Sequence, residues 1–117
     1  MASDGARRVF DVVAFERQTG GDAHLRQEII QMFLEDCPVR LAAIRAAVQQ
    51  CDAQALASTA HSLKGACGYL SAVATREAAS HLEQIGRLGR MEEADAALAR
   101  LDAAAAELIP ELRKQLS

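Results

Sequence analysis

Apolar residues recur at steps of three and four along most of the chain, a spacing typical of amphipathic α-helices. A short helix is predicted from Phe10 to Gln18, and it ends before Gly20-Gly21, because paired glycines do not easily continue a helix. Asp22 is then a predicted N-cap for a long helix. Pro38 is expected to bend that helix. Its apolar positions are Leu25, Ile29, Met32, Phe33, Cys37, Leu41, Ile44, Val48 and Cys51.

The second half of the chain carries three further helical patterns. Asp52 is a predicted N-cap of the first and Ser71 of the second, which stops around Gly86 to Gly89. Pro110 interrupts the third, so a kink or an early end is expected there. The three sets of core positions are Leu56, Ala60, Leu63, Cys67 and Leu70; Ala74, Ala78, Leu82 and Ile85; and Ala94, Leu98, Leu101, Ala105, Leu108, Leu112 and Leu116.

Four substantial amphipathic helices with short connections predict an all-α fold, an antiparallel four-helix bundle with a short extra N-terminal helix, because this arrangement buries four apolar stripes together. Residues 1–117 are predicted to form a single domain, with residues 1–9 as a flexible N-terminal segment. A coiled coil is disfavoured because no helix sustains several uninterrupted heptads. Half of the residues are apolar but only 3% are aromatic, so helix-forming Ala and Leu must supply much of the core.

Charge and cysteine spacing argue against several functions. The 13 basic and 16 acidic residues give a net charge of −3 without a basic stripe, so no nucleic-acid partner is expected. The chain has no long apolar run and no signal-peptide pattern, so we expect no membrane insertion and a cytoplasmic location. A monomer is also expected. Cys37, Cys51 and Cys67 lack Cys-x-x-Cys spacing and are predicted to be reduced, buried, small apolar residues.

Some of the remaining reactive or charged side chains are assigned to the surface by their positions. His24 and His81 are predicted to be solvated, because a zinc site needs three or four converging ligands. Arg87 and Arg90 are likewise predicted to be ordinary solvated charges at a helix end.

One histidine lies on the outward face of its helix. On a wheel of about 100° per residue, His61 lies about 140° from the core direction set by Leu56. Gly65 lies about 180° and Lys64 about 80° from that direction by the same geometry. A glycine within a helix costs about 1 kcal/mol relative to alanine, so Gly65 and Gly68 beside His61 need a reason. We infer that they clear space for a phosphoryl group or for another protein's backbone.

An exposed imidazole with a nearby ammonium group is suited to accept a phosphoryl group. Imidazole is mostly neutral at pH 7, so a free ring nitrogen of His61 can attack an acyl phosphate. Lys64, one turn further along, can offset the negative charge that is added to the ring. Phosphoryl transfer depends mainly on positioning and charge compensation, so the metal and the carboxylate are expected to come from a partner.

The segment His61-x-Leu63-Lys64-Gly65, followed by Leu70, resembles the signature of histidine phosphotransfer (HPt) domains of multistep two-component phosphorelays. The resemblance extends over about positions 10 to 116. It implies a four-helix bundle that displays a phosphorylated histidine near the middle of one helix. It also implies phosphorylation of His61 at Nε2. Lys64 matches the family's phosphate-stabilising lysine, and Gly65 matches its small residue beside the ring.

By this resemblance the protein relays a phosphoryl group through His61 between the aspartates of receiver domains, which belong to a hybrid sensor kinase, a response regulator or both. No cofactor is expected in this chain, with Mg²⁺ expected in the partner receiver. The sequence has no Gly-rich phosphate loop and no room for an ATPase domain, so no autonomous kinase activity is expected. Two positions depart from the family pattern, since Tyr69 stands where a small polar residue is common and Ser71 where glycine is common. These departures concern the docking surface more than the chemistry.

Three other hypotheses differ in what they require. An adaptor that has lost phosphotransfer would not need His61, Lys64 and Gly65 together. The phosphoacceptor domain of a chemotaxis-type kinase has a similar motif, and it would normally be followed by dimerisation and ATP-binding segments that this sequence does not contain. That second hypothesis stays open if the chain is part of a longer protein. A cofactor-binding bundle needs inward-facing ligands, whereas His61 is predicted to point outward.

Overall fold

In the computed structural model, which describes residues 4–116, the chain forms six α-helices and a short 3-10 turn. The helices are α1 (Asp4–Val9), α2 (Val12–Gln18), α3 (Ala23–Gln49), α4 (Ala53–Gly68), α5 (Val73–Leu88) and α6 (Ala94–Leu116), and the turn spans Met91–Glu93. The described residues contain no strand. The predicted all-α fold, with a short N-terminal helix before four long ones, is confirmed.

The four long helices form an elongated bundle, and the described residues measure 42 × 26 × 20 Å. α3 packs against α4, α4 against α5, α5 against α6 and α6 against α3, so α4 and α6 lie at opposite corners. Short connections at positions 50–52 and 69–72 make successive helices antiparallel. The core is mostly aliphatic, and its largest fully buried side chains include Phe15, Ile30, Ile44, Leu56, Leu63, Leu70, Leu82, Leu101, Leu108 and Leu112.

Aspartates begin three of the helices, because a carboxylate can accept a hydrogen bond from a first-turn N–H that has no partner within the helix. Asp11, Asp22 and Asp52 each accept such a bond at 3.0 Å from the N–H three residues further on. The predicted caps Asp22 and Asp52 are confirmed. The short helix begins after Asp11 rather than at Phe10, whose side chain is buried.

The ends of α3 and α4 turn through residues in the left-handed conformation. Cys51 has a φ of 51° and Ser71 a φ of 56°. In both turns the next N–H donates to the carbonyl five residues earlier, at 2.9 Å and 3.4 Å, and so closes the helix. The prediction that Ser71 caps α5 is therefore wrong, since Ala72 takes that place without a side-chain bond. The predicted burial of Cys51 is also wrong, because this turn leaves its thiol exposed.

The buried face of α5 is offset from the predicted stripe. Ala74 and Ala78 are only half-buried. Polar residues and a glycine occupy part of the true core face, so apolar spacing alone misplaced it. In the described residues, the buried hydroxyl of Thr75 on this face has no hydrogen-bond partner. The buried residues of α5 are Thr75, Ala79, Leu82, Glu83, Ile85 and Gly86.

α4 and α5 come into backbone contact at Gly86, which was predicted to lie where the helix stops. The helix runs on to Leu88 and ends at Gly89, whose φ of 68° is left-handed, so its end falls within the predicted range of Gly86 to Gly89. A Cβ at position 86 would lie 2.6 Å from both Ala53 O and Ala57 N, which is too close for any side chain. Glycine is therefore required there by packing, and the contact fixes how the two helices lie against each other.

The two longest helices, α3 and α6, each contain a proline. α3 is one continuous helix that contains Pro38, where a bend is predicted, and α6 runs through Pro110 to Leu116, so the early end considered for α6 does not occur. Leu25 and Met32 of α3, predicted to face the core, are instead exposed. None of the helices within residues 4–116 is long and apolar enough to span a membrane.

α1 occupies most of the segment predicted to be flexible. Residues 4–9 are helical and pack against α5 and α6, and Arg8 forms an ion pair with Glu77 of α5. The hydrophobic pattern did not indicate this helix, because few of its residues are apolar and its contacts are with residues far along the chain. The remainder of the predicted segment, residues 1–3, lies outside the described residues.

Candidate functional site

α4 presents His61 to solvent because its apolar residues point the other way. Leu56, Ala60, Leu63 and Cys67 are fully buried, whereas the side chain of His61 is 62% exposed. The outward phase derived from the helical wheel is therefore observed. One side of the imidazole is left open to a second protein.

The protein-facing side of the ring contacts a buried carboxylate that the sequence analysis missed. His61 Nδ1 lies 2.8 Å from Oε2 of Glu83, and the Glu83 side chain is only 4% exposed. A signal for it was available in the sequence. Glu83 lies four residues after Ala79 and three before Gly86, so it joins the core stripe of α5 once that glycine is counted as buried.

Two cations bind the same carboxylate. Lys64 Nζ lies 2.6 Å from Glu83 Oε1, and Arg87 Nη2 lies 2.6 Å from Glu83 Oε2. Lys64 and His61 thus contact the same carboxylate, and the ammonium group of Lys64 is bound to Glu83. Arg87 is exposed at the end of α5, as predicted, but it is not an ordinary solvated charge, because it pairs with this buried carboxylate. These four residues, His61, Lys64, Glu83 and Arg87, are called the histidine cluster below.

The cluster determines which nitrogen of the imidazole can react. The hydrogen bond from Lys64 lowers the pKa of Glu83, burial opposes that effect, and His61 and Arg87 lower the pKa further. Glu83 is therefore ionised at neutral pH, and an ionised carboxylate can only accept hydrogen bonds. Nδ1 of the neutral ring must then carry the proton, and its N–H donates a hydrogen bond to Glu83. The other nitrogen, Nε2, is left unprotonated with a lone pair available for attack.

Two glycines leave the surface of α4 without side chains near the ring. A Cβ at Gly65 or Gly68 would meet no atom within 4 Å, so neither glycine is required by packing. Gly65 is exposed, as predicted, and it borders an open groove of about 520 Å³ between α3 and α4. His61 lines this groove together with side chains that are mostly apolar, such as Ile29 and Tyr69.

A polar contact joins α3 to α4 next to the ring. Arg40 Nε donates a hydrogen bond to Ser62 Oγ at 3.2 Å, and the same guanidinium lies 3.5 Å from the carboxylate of Asp36. Both α3 residues line the same groove as His61. The charges facing the ring from α3 are therefore already paired with each other.

The other histidines and the buried cysteines take no part in this cluster. His24 pairs with Glu28 at 3.2 Å, and His81 is exposed, so both are surface residues as predicted. In residues 4–116, no three His, Cys, Asp or Glu side chains are grouped as a metal site would need. Burial raises the pKa of Cys67 to about 12 and also raises the pKa of Cys37, so both thiols stay protonated.

Comparison with known proteins connects this geometry to a family. The sequence profile of the Hpt domain family matches residues 28–114. This range is most of the chain and includes the whole histidine cluster. The chain belongs to the Hpt domain family. A comparison with curated proteins found no significant match.

Two solved structures share the fold of this Hpt domain. Histidine-containing phosphotransfer protein B (HptB) from Pseudomonas aeruginosa PAO1 is 26% identical, with a TM-score of 0.84 over 91% of this chain and 92% of that chain. The HPT domain of a sensor hybrid histidine kinase from Shewanella is 20% identical, with a TM-score of 0.83 over 94% of this chain and 95% of that chain. The protein is thus a histidine phosphotransfer domain of the kind that acts in phosphorelays. Such domains are carriers of phosphoryl groups and not kinases that take them from ATP.

Proposed function

We propose that this Hpt domain carries its phosphoryl group on Nε2 of His61, receives it from the phosphoaspartate of one receiver domain and passes it to the aspartate of another. The observation that carries the proposal is the 2.8 Å contact between His61 Nδ1 and the ionised carboxylate of Glu83. This contact leaves Nε2 unprotonated on a ring that is exposed enough to enter a partner's active site.

The chemistry requires little from this chain apart from a correctly oriented ring. The Nε2 lone pair forms a bond to phosphorus while the bond from phosphorus to the aspartate oxygen breaks, and the aspartate leaves as a carboxylate. No base has to remove a proton, because Nε2 carries none. Gly65 supplies the clearance that lets the receiver close on His61. A side chain at that position would project into the open space beside the ring.

The charges of the histidine cluster fit this step. Around the neutral ring, one carboxylate and two cations leave a net charge of one positive unit. A phosphoryl group adds up to about two negative charges, and the ring that bears it with a proton on Nδ1 gains one positive charge. The phosphorylated cluster therefore approaches neutrality. Lys64 and Arg87 are the residues that prevent an excess of negative charge.

The partners that fit this chemistry are receiver domains of a hybrid sensor kinase, of a response regulator or of both. The receiver supplies the aspartate and the Mg²⁺ ion, so this chain needs no metal or cofactor of its own. We assign it no kinase activity with ATP. It would act as a monomer in the cytoplasm.

His61→Gln tests the assignment of the phosphorylated residue. Incubation with a panel of phosphorylated receiver domains should label the wild type and leave His61→Gln unlabelled, while ATP alone labels neither. The label should be lost in acid and kept in base, as expected for a phosphoramidate. His24→Gln and His81→Gln are matched controls that should accept the label normally. Labelling of His61→Gln, or an acid-stable label such as one on Ser62, would contradict the proposal.

A further inference from the structure

The carboxylate of Glu83 is held in place independently of the histidine. Lys64 from α4 and Arg87 from α5 both bind it at 2.6 Å, and its side chain is 4% exposed. A phosphoryl group on Nε2 is attached away from Nδ1, since the two nitrogens are separated by a ring carbon. The contact between Nδ1 and Glu83 can therefore persist after phosphorylation of His61.

The proton on Nδ1 controls how readily a phosphoryl group leaves Nε2. If Nδ1 is protonated, breaking the bond between nitrogen and phosphorus releases neutral imidazole. If Nδ1 has lost its proton, the same step must release imidazolate, a far stronger base and a much poorer leaving group. A phosphorylated ring with a proton on Nδ1 is positively charged, and a carboxylate at hydrogen-bond distance favours that charged form.

We propose that Glu83 is a positioning residue that keeps the proton on Nδ1 of phosphorylated His61, so that the phosphoryl group remains transferable at alkaline pH. This inference rests on the proposed function. In the outgoing step, an oxygen of the receiver's aspartate forms a bond to phosphorus and the bond from Nε2 to phosphorus breaks. The electron pair returns to Nε2 and Nδ1 keeps its proton. No proton enters or leaves the cluster in either direction of transfer.

The other charged groups around the ring do not replace Glu83 in this role. Lys64 and Arg87 are cations, which disfavour a positive ring and act on His61 through their bonds to Glu83. Asp36 and Arg40 face the ring from α3 as a pair. α6 lies at the opposite corner from α4. Among the described residues, Glu83 is thus the carboxylate that contacts the His61 ring.

Glu83→Gln tests the role of the negative charge. Glutamine keeps an oxygen that can accept the hydrogen bond from Nδ1, but it cannot stabilise a positive ring to the same extent. Glu107→Gln, at an exposed position of α6, is a control with the same change of charge. Wild type and both variants are loaded by one receiver, and the rate of transfer to a second receiver is measured against pH. Wild type and Glu107→Gln should lose transfer at the same alkaline pH, and Glu83→Gln at a pH lower by at least about one unit. Equal midpoints in all three proteins would overturn the proposal.

A second measurement needs no variant and so does not depend on whether Glu83→Gln folds. ¹⁵N NMR of the phosphorylated wild-type ring reports the pH at which Nδ1 loses its proton. That pH should be at least about one unit higher in the folded protein than in the same phosphorylated chain unfolded in urea. The same pH in both states would overturn the proposal. If the wild type forms no phosphohistidine with any receiver, the proposed function itself fails, and that outcome differs from a normal phosphohistidine with an unshifted Nδ1.

Discussion

Gly65 and Gly86 lack a side chain for opposite reasons, although they lie on neighbouring helices. At Gly65 a Cβ would meet nothing within 4 Å, whereas at Gly86 it would lie 2.6 Å from backbone atoms of Ala53 and Ala57. Glycine weakens a helix equally at either site. Packing therefore explains Gly86, and a role outside the fold must explain Gly65.

Alanine at these two positions should separate transfer from stability. Gly65→Ala should raise the free energy of unfolding by up to about 1 kcal/mol through helix propensity, while slowing transfer from a phosphorylated receiver. Gly86→Ala should lower the free energy of unfolding by about 1–3 kcal/mol, because the backbone of α4 must move away. Urea denaturation and single-turnover transfer rates check both expectations.

A graded series strengthens the test at Gly65. Transfer should fall further in Gly65→Gln and Gly65→Leu, since a longer side chain fills more of the space that a receiver must occupy. Unchanged transfer across the series would refute the clearance role. A loss of stability in Gly65→Ala would mean that this face of α4 is packed after all.

At the scale of whole elements, the turns that end α3 and α4 each contain a non-glycine residue in the left-handed conformation, which is unfavourable for a residue with a Cβ. Ser71 has a φ of 56°, a conformation that L side chains adopt at a penalty and glycine adopts freely. Its hydroxyl donates a hydrogen bond to Gln18 at 3.3 Å on the exposed surface. Glycine would suit this turn better than serine, because it has no Cβ to clash in the left-handed conformation.

Ser71→Gly should therefore stabilise the protein. The relief of the left-handed strain exceeds the loss of an exposed hydrogen bond and the added freedom of the unfolded chain, so we expect a gain of about 0.5 kcal/mol in the free energy of unfolding. Ser71→Ala is the matched control, because it removes the same hydroxyl but keeps the Cβ, and it should gain nothing. Thermal and urea unfolding of the two variants distinguish these outcomes, and equal stabilities would show that strain at this turn is negligible.

The elements that could be predicted are those whose signals are local. Asp22 and Asp52 cap helices through bonds to their own first turns, and those starts were found. The helix α1 and the buried face of α5 were not predicted correctly, because both depend on contacts with other parts of the chain. The burial of Glu83 is compensated by three side chains that contact its carboxylate: His61 and Lys64 on α4, and Arg87 one turn further along α5. His61 was found because its helix phase and its motif agree.

For the molecule as a whole, the histidine cluster links stability to pH. The pKa of Glu83 is lowered below its usual value of 4.5 in the folded state, most strongly by Lys64. Its contribution to the free energy of unfolding is therefore fully present above pH 4.5 and is lost as pH falls through the lower folded-state pKa. Acid should weaken the protein partly by protonating this one buried carboxylate.

This linkage is measured as a difference between variants. The free energy of unfolding of wild type minus that of Glu83→Gln should be largest near neutral pH and should shrink as pH is lowered below 4.5. The same difference for Glu107→Gln should vary less with pH, since that side chain is exposed. A Glu83→Gln difference that is constant from neutral to acidic pH would contradict the lowered pKa.

The backbone contact at Gly86 also limits how far the His61 imidazole and the Glu83 carboxylate can move relative to each other. Ala57 lies four residues before His61 and Gly86 three residues after Glu83, so the contact is about one helical turn, roughly 5 Å, from each. Two backbones that touch cannot slide past each other as flexible side chains can. A shift of one helix elsewhere in the bundle should therefore change the distance between imidazole and carboxylate less than it would if only flexible side chains separated α4 and α5. The position of the imidazole relative to the carboxylate is therefore determined mainly by this nearby backbone contact and less by side-chain packing in the rest of the core.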